Sequence, residues 1–262
     1  VNFAYLVDSE KLYFAREPED QNAPTSAIAR LIQGVYSHDP KNALKLIRNR
    51  LFSTSLATEM CHGMVKVAAK RLTDSVSLDS FLQARSQYSE QIDLSESVNA
   101  LSGPLAYEES LWKNLGKIVE LENPSSELQW MNCARKLLHA GGNLPVAALL
   151  ISPDGQVLSA ALNSNSSNRT LHAEVNLIQS FYRNHRQKIP AHSTIITTLK
   201  PCKMCAAMIW TQAEKIESMQ IVFGQMDDGR HARETVLNPG TFERKRASRN
   251  ADQLSCKIEW QV

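Results

Sequence analysis

The chain has 262 residues, 43% of them hydrophobic and 21% charged, with a net charge of +2. That is an ordinary globular composition, long enough for two small domains with a core each. It argues against a membrane-spanning protein, because the longest apolar run, VAALLI, is strand-sized and far below the ~20 residues that a spanning helix needs. Five cysteines, an odd number, argue against a complete disulfide framework and for a reducing, cytoplasmic setting. The first residues lack the basic and apolar regions of a signal peptide. The charge is uneven: residues 126–262 hold 16 Lys and Arg against 11 Asp and Glu, while residues 1–125 hold 13 against 16. A mildly basic second half is compatible with a phosphate-bearing substrate.

In chain order, AYLVDSEKLYFA (4–15) has the pattern of a β-hairpin, and TSAIARLIQGVY (25–36) has a helical apolar spacing. The stretch from Leu78 to Glu122 is polar and helical, with FLQARSQYSEQ and YEESLWKNLGKIVEL as its helices. ENPSSE (122–127) carries a proline among polar residues, then Ser125 or Ser126 as an N-cap, so a linker is expected there. The expected domains are therefore 1–125 and 126–262. The second reads as a helix (128–140), strands in PVAALLIS and QVLSAALN around a Pro-Asp-Gly turn, a helix from TLHAEVNLIQSFYRN, and a strand in STIITTL. A helix in KMCAAMIWTQA, a strand in MQIVFG, a short helix in HARETVL and a final strand in LSCKIEWQV follow. Such alternation predicts an α/β layered domain, a sheet covered by helices.

The chemistry concentrates in this second part. His172, Cys202 and Cys205 offer one nitrogen and two sulfur ligands, a set that suits Zn²⁺. Cys202 and Cys205 fall at a strand-to-helix junction, where free N–H groups and the helix dipole favour thiolates. Three ligands leave one position for water, as in a catalytic site; Cys61, Cys133 and Cys256 are isolated in sequence. Glu174, two residues from His172 at a helix start, is placed to move protons to and from that water rather than to bind the metal.

The residues HAE (172–174) and PCKMC (201–205) resemble the zinc-dependent cytidine/deoxycytidylate deaminase superfamily over about residues 128–262. The resemblance implies a deaminase-fold three-layer sandwich with a five-stranded mixed sheet. It also implies one catalytic Zn²⁺ per chain on His172, Cys202 and Cys205, with Glu174 as the catalytic proton shuttle. IVFGQMD followed by VLNPGTF is similar to the bacterial tRNA adenosine deaminases, although their C-terminal helix has no counterpart after the last strand. On that likeness Asn163, with Asn165 as its rival, binds the substrate base, and Ala173 and Arg169 are further expected substrate contacts. HAEVNLI is also seen in deaminases of free nucleotides, and PCKMCAAMIW in guanine deaminases. The expected reaction is hydrolytic deamination of adenine or cytosine in RNA or single-stranded DNA. The alternatives are a free base or nucleotide as substrate, or a zinc-containing nucleic-acid-binding module without activity. For a polymeric substrate, tRNA or single-stranded, the basic run Arg244, Lys245, Arg246 and Arg249, together with Lys203, is the expected phosphate contact.

The N-terminal part repeats this pattern without its chemistry. LIQGVY (31–36) matches LIQSFY (177–182) at four of six positions, which sets Ser26 on His172 and Ile28 on Glu174. LATEMCHGMV (56–65) falls on KPCKMCAAMI (200–209), setting Thr58 on Cys202 and Cys61 on Cys205. With one thiol left, this copy cannot hold zinc. The expected N-terminal domain is a degenerate, zinc-free deaminase-like copy with a helical connector. The two copies then form an internal pseudo-dimer, with a homodimer as a further option.

Overall fold

The hairpin expected at 4–15 forms as β1 (Phe3–Asp8) and β2 (Lys11–Arg16), paired antiparallel from Phe3↔Arg16 to Asp8↔Lys11. In the computed structural model of the chain, every residue is described except 97–104, 141–145, 167 and 239–262, and of 105–108, 139 and 140 the backbone alone. Helix α1 (Ala27–His38) follows the hairpin, its first turn capped by the Ser26 hydroxyl, which accepts from Ala29 N. Then come α2 (Ala43–Leu46), β3 (Arg50–Ser53), α3 (Glu59–Ala68), β4 (Arg71–Thr73), α4 (Leu78–Gln87) and β5 (Glu90–Asp93). The strands form a mixed five-stranded sheet in the order β4-β3-β1-β2-β5, with β1–β3 antiparallel and β3–β4 and β2–β5 parallel.

The second half contains α5 (Leu105–Glu122), α6 (Glu127–Ala140), β6 (Ala147–Ile151), β7 (Val157–Leu162) and α7 (Ala173–His185). It continues through β8 (Thr194–Thr197), α8 (Lys203–Gln212), a 3₁₀ turn at Ile216–Ser218 and β9 (Gln220–Phe223). The sheet order is β7-β6-β8-β9, with β6 antiparallel to β7 and β8, and β8 parallel to β9. The protein is thus an α/β chain with mixed sheets, as the alternation implies. A hairpin, a helix, a strand, a helix and a parallel strand occur in the same chain order and the same sheet order in both halves. The final strand expected from LSCKIEWQV lies outside the described residues.

Both faces of the second sheet are covered. Ala147, Leu149 and Ile196 pack against Leu115 of α5 and Trp130 and Leu137 of α6. Ala148, Leu150 and Ile195 face α7 and α8. Cover on both sides is why β6, AALLI, is buried at every residue rather than at alternate ones. In the first half Ala4, Leu6 and Leu51 face α1 and α3, while Tyr5, Leu12 and Phe14 pack on Phe81 of α4. The four helices α1, α3, α7 and α8 belong to one apolar cluster that spans both halves.

Three expectations differ from what forms. The polar middle is not all helical: Glu90–Asp93 adds as an exposed edge strand, paired to β2, that no alternation of apolar residues announces. The linker expected at 122–127 is a turn between two helices on one face. Leu111 and Leu115 of α5 share a core with α6 and β6, so the connector helix packs with the second half. At the start of α6 the Gln129 side chain reaches back, its Oε1 accepting from the backbone N–H of Ser125 and Ser126. HARETVL is a run of turns, not a helix: its apolar Ala232, Val236 and Leu237 are buried from a loop that crosses the start of α8. No helix among the described residues is long and apolar enough to cross a membrane.

The two halves meet most closely where α3 crosses α8. A Cβ on Gly63 would lie 2.6 Å from the Lys203 carbonyl oxygen and 3.0 Å from Ala207 Cβ. In the aligned repeat Gly63 corresponds to Ala207, so equivalent positions touch each other. Gln33 and Gln179, also equivalent, meet likewise: Gln179 Nε2 donates to Gln33 Oε1 at 3.0 Å. Contact between like positions is the mark of a two-fold interface. Gly63→Val is expected to force the helices apart and lower stability by about 1–3 kcal/mol, read as an earlier midpoint in urea unfolding.

Candidate metal centre

Two helix starts converge beneath the second sheet. His172 is the N-cap residue of α7 and Cys202 the N-cap residue of α8, both with extended backbone, and neither side chain caps its helix. Cys205 lies in the first turn of α8, fully buried. The three side chains form a triangle: Cys202 Sγ to His172 Nδ1, Cys205 Sγ to His172 Nδ1 and Cys202 Sγ to Cys205 Sγ are each 3.5 Å. Zinc–sulfur and zinc–nitrogen bonds of about 2.3 and 2.0 Å at tetrahedral angles put neighbouring ligand atoms roughly 3.5–3.8 Å apart. The donor set and its spacing therefore fit a zinc ion, and it is the one such group of His, Cys, Asp and Glu among the described residues.

The loops around the triangle are tied down. Lys203 N donates to the His231 carbonyl at 2.7 Å, so the HARETVL segment covers the start of α8. On the other side Asn176 Nδ2 donates to Leu162 O and Ser164 Oγ, both at 2.9 Å, and so joins α7 to the end of β7.

Glu174 stands in the first turn of α7, 3% exposed, and its Oε1 accepts from Thr197 Oγ1 at 3.2 Å. Burial pushes its carboxyl above the usual range, and the Cys202 sulfur adds to this. Cys202 is held well below the ordinary thiol value by a hydrogen bond from Cys205 and by His172, whereas burial and the charge on Cys202 push Cys205 up. Burial lowers the His172 pKa, but Cys202, Glu174 and Asp227 outweigh it and the net direction is upward. A buried acid beside two thiols and an imidazole is an arrangement able to hold a cation and to pass protons.

Of the other expected site residues, Ala173 is fully buried between His172 and Glu174. Asn163, 7% exposed, ends β7; its Nδ2 donates to Asn165 Oδ1 at 3.1 Å, and its own Oδ1 has no partner among the described residues. Asn165 is thus a neighbour of Asn163 within one pair. Arg169 is exposed on the loop before α7, and Lys203 is half-buried in the first turn of α8. Arg244, Lys245, Arg246 and Arg249 lie outside the described residues. Trp210 is buried core. Thr197, which holds Glu174, was not legible in sequence; its one signal is its place at the end of the strand that leads into PCKMC.

The equivalent positions of the first half also come together. Ser26 Oγ lies 3.1 Å and Thr58 Oγ1 3.2 Å from Cys61 Sγ. Ser26 and Thr58 are the N-cap residues of α1 and α3, and each accepts a backbone N–H of its own helix. Ile28, 1% exposed, takes the place of Glu174.

Three solved structures are similar to part of the chain. One is from work on A-to-I editing by tRNA:A34 deaminases at the wobble position of transfer RNA: 24% identity, 45% of this chain, 75% of that chain, TM-score 0.31. The dCMP deaminase of cyanophage S-TIM5 in its apo form has 20% identity, 40% and 86% coverage and a TM-score of 0.31. The guanine deaminase of Bacillus subtilis has 17% identity, 50% and 99% coverage and a TM-score of 0.32. No curated protein matches the chain. Residues 141–248, which contain the whole His172–Cys202–Cys205 triangle and Glu174, match the Bd3614-like deaminase family model, so this part of the chain is similar to the cytidine deaminase-like superfamily.

Proposed function

We propose that the protein is a zinc-dependent hydrolytic nucleobase deaminase with one active site per chain. The observation that carries the reading is the 3.5 Å triangle of His172 Nδ1, Cys202 Sγ and Cys205 Sγ with the buried carboxyl of Glu174 beside it. His172, Cys202 and Cys205 would hold the ion, and a Zn²⁺ bound there supplies an activated water at neutral pH. Glu174 moves the protons: its raised pKa, caused first by burial, suits a group that must take one proton from the water and give it to a ring nitrogen, then take a second from the hydroxyl added to the ring carbon and give it to the leaving amine. Thr197 holds the carboxyl in place. Asn163, with a buried acceptor oxygen free, orients the base through a donor on its edge, and Ala173 supplies apolar contact.

The first half then reads as a degenerate copy without metal, joined to the second as an internal pseudo-dimer. Cys61 with Ser26 and Thr58, three groups that can hydrogen-bond but cannot jointly ligate zinc, support this, as do the shared sheet order and the contacts between equivalent residues. Four free cysteines among the described residues fit a reducing, cytoplasmic setting. The substrate proposed first is a base within RNA, tRNA first, or within single-stranded DNA. The exposed Arg169, the half-buried Lys203 at the α8 start and the basic run at 244–249 support it.

Metal analysis of the whole chain is expected to give one zinc per chain, lost in Cys202→Ala with Cys205→Ala; a content of two per chain, or zinc kept by that variant, contradicts the site. Glu174→Gln is expected to keep zinc and fold while turnover falls by about 10²–10⁴-fold, measured as ammonia release over bases, nucleotides and tRNA. For the substrate class, affinity for RNA is expected to fall steeply with salt. Neutralising Arg169, Arg244, Lys245, Arg246 and Arg249 together should reduce that slope by roughly 0.7 per lost phosphate contact. Efficient, salt-insensitive turnover of a free base that this variant leaves unchanged would select the small-molecule alternative.

A further inference from the structure

We infer that Gln33, a residue of the first half, is a positioning residue for the metal centre of the second half; the inference rests on the deaminase reading above. Gln33 is fully buried within α1, in the apolar layer between the two sheets. A primary amide in such surroundings is costly unless both its ends are bonded. Its Nε2 donates to Thr170 Oγ1 at 3.1 Å and its Oε1 accepts from Gln179 Nε2 at 3.0 Å, so its orientation is locked.

Thr170 is the next link, two residues before His172 and fully buried. Its hydroxyl, besides accepting from Gln33, donates to Asn168 Oδ1 at 2.7 Å, and its backbone N–H donates to the same oxygen at 3.1 Å. Its carbonyl accepts from His172 N at 2.9 Å. One hydroxyl thus fixes the loop from Asn168 to His172, and the only side chain shown reaching that hydroxyl from the other half is Gln33 among the described residues. The pseudo-two-fold sharpens the point. Gln179 is the mate of Gln33, and the mate of Thr170 is Pro24, which has no hydroxyl. Gln179 therefore makes no such bond to the loop that precedes Ser26, which is reached instead by Gln212, whose Nε2 donates to the Ala23 carbonyl at 3.1 Å; the side-chain bond to a loop hydroxyl is made toward the loop that carries His172. Fixed surroundings of a ligand set both how tightly and in what geometry a metal is held. The first half, without a site of its own, keeps the helix that holds the loop of the other.

The test uses the whole 262-residue chain loaded with Co²⁺, whose d–d bands report ligand geometry, and a chelator that removes the metal. Gln33→Met and Thr170→Val are each expected to shift the bands and speed metal loss on the order of tenfold. The double variant should be no worse than either single one. Gln179→Met, which breaks the Gln33–Gln179 bond but leaves Thr170 held, should keep the wild-type bands and rate. If Gln33→Met fails to fold, Thr170→Val against Gln179→Met decides the matter. Wild-type bands and rate in Thr170→Val, or equal changes in Gln179→Met and Gln33→Met, overturn the positioning role while the deaminase reading stands. A wild-type chain that takes up no metal overturns both.

Discussion

The helix layer between the two sheets is the constraint on which the rest depends. Helices α1, α3, α7 and α8 bury their apolar residues against each other as well as against their own sheets, so each half supplies part of the other's core. The closest approach is backbone on backbone at Gly63, and only the lack of a Cβ there lets α3 lie against Lys203, Met204 and Ala207. Those three residues belong to the helix that carries Cys205. The interface is thus continuous with the candidate metal centre rather than remote from it.

Stability and chemistry meet at four helix starts. Ser26 and Thr58 cap α1 and α3, and a serine or threonine in that position is worth about 1 kcal/mol. His172 and Cys202 occupy the matching positions on α7 and α8 and cap nothing. The second half forgoes two caps, and in return its imidazole and thiol groups stand free at positive helix ends, where a thiolate is favoured. The first half has the reverse arrangement: its helix ends are satisfied, and its single thiol is left between two hydroxyls.

Burial tunes the centre further. Glu174 sits against Ala173 and the cysteine sulfurs with almost no solvent exposure, held by the Thr197 hydroxyl and by a hydrogen bond with Cys205. A surface carboxylate of the same spacing would have an ordinary pKa and a proton exchanged freely with water. The covered sheet and the loop over the start of α8 make the difference, because they remove the solvent that would otherwise stabilise its charge.

How much of this was legible in the sequence follows from the range of the forces involved. The three candidate ligands and Glu174 declare themselves by residue type and local spacing, because a metal site of this kind needs its donors at helix starts and in fixed steps along the chain. The hairpins, the helices and the repeat are written in apolar periodicity and in the pairs LIQGVY/LIQSFY and TEMCHG/CKMCAA, all local patterns. β5 was not legible, since EQID has no alternation and becomes a strand only because β2 offers it an open edge. Nor was the place of α5, whose leucines fit either half until the second sheet's uncovered face decides between them. Thr197 at Glu174 and Gln33 at Thr170 lie 23 and 137 residues from their partners. Single hydrogen bonds across such separations leave no periodic trace in one sequence. They exist because packing two sheets onto one helix layer buries polar side chains that must then find each other.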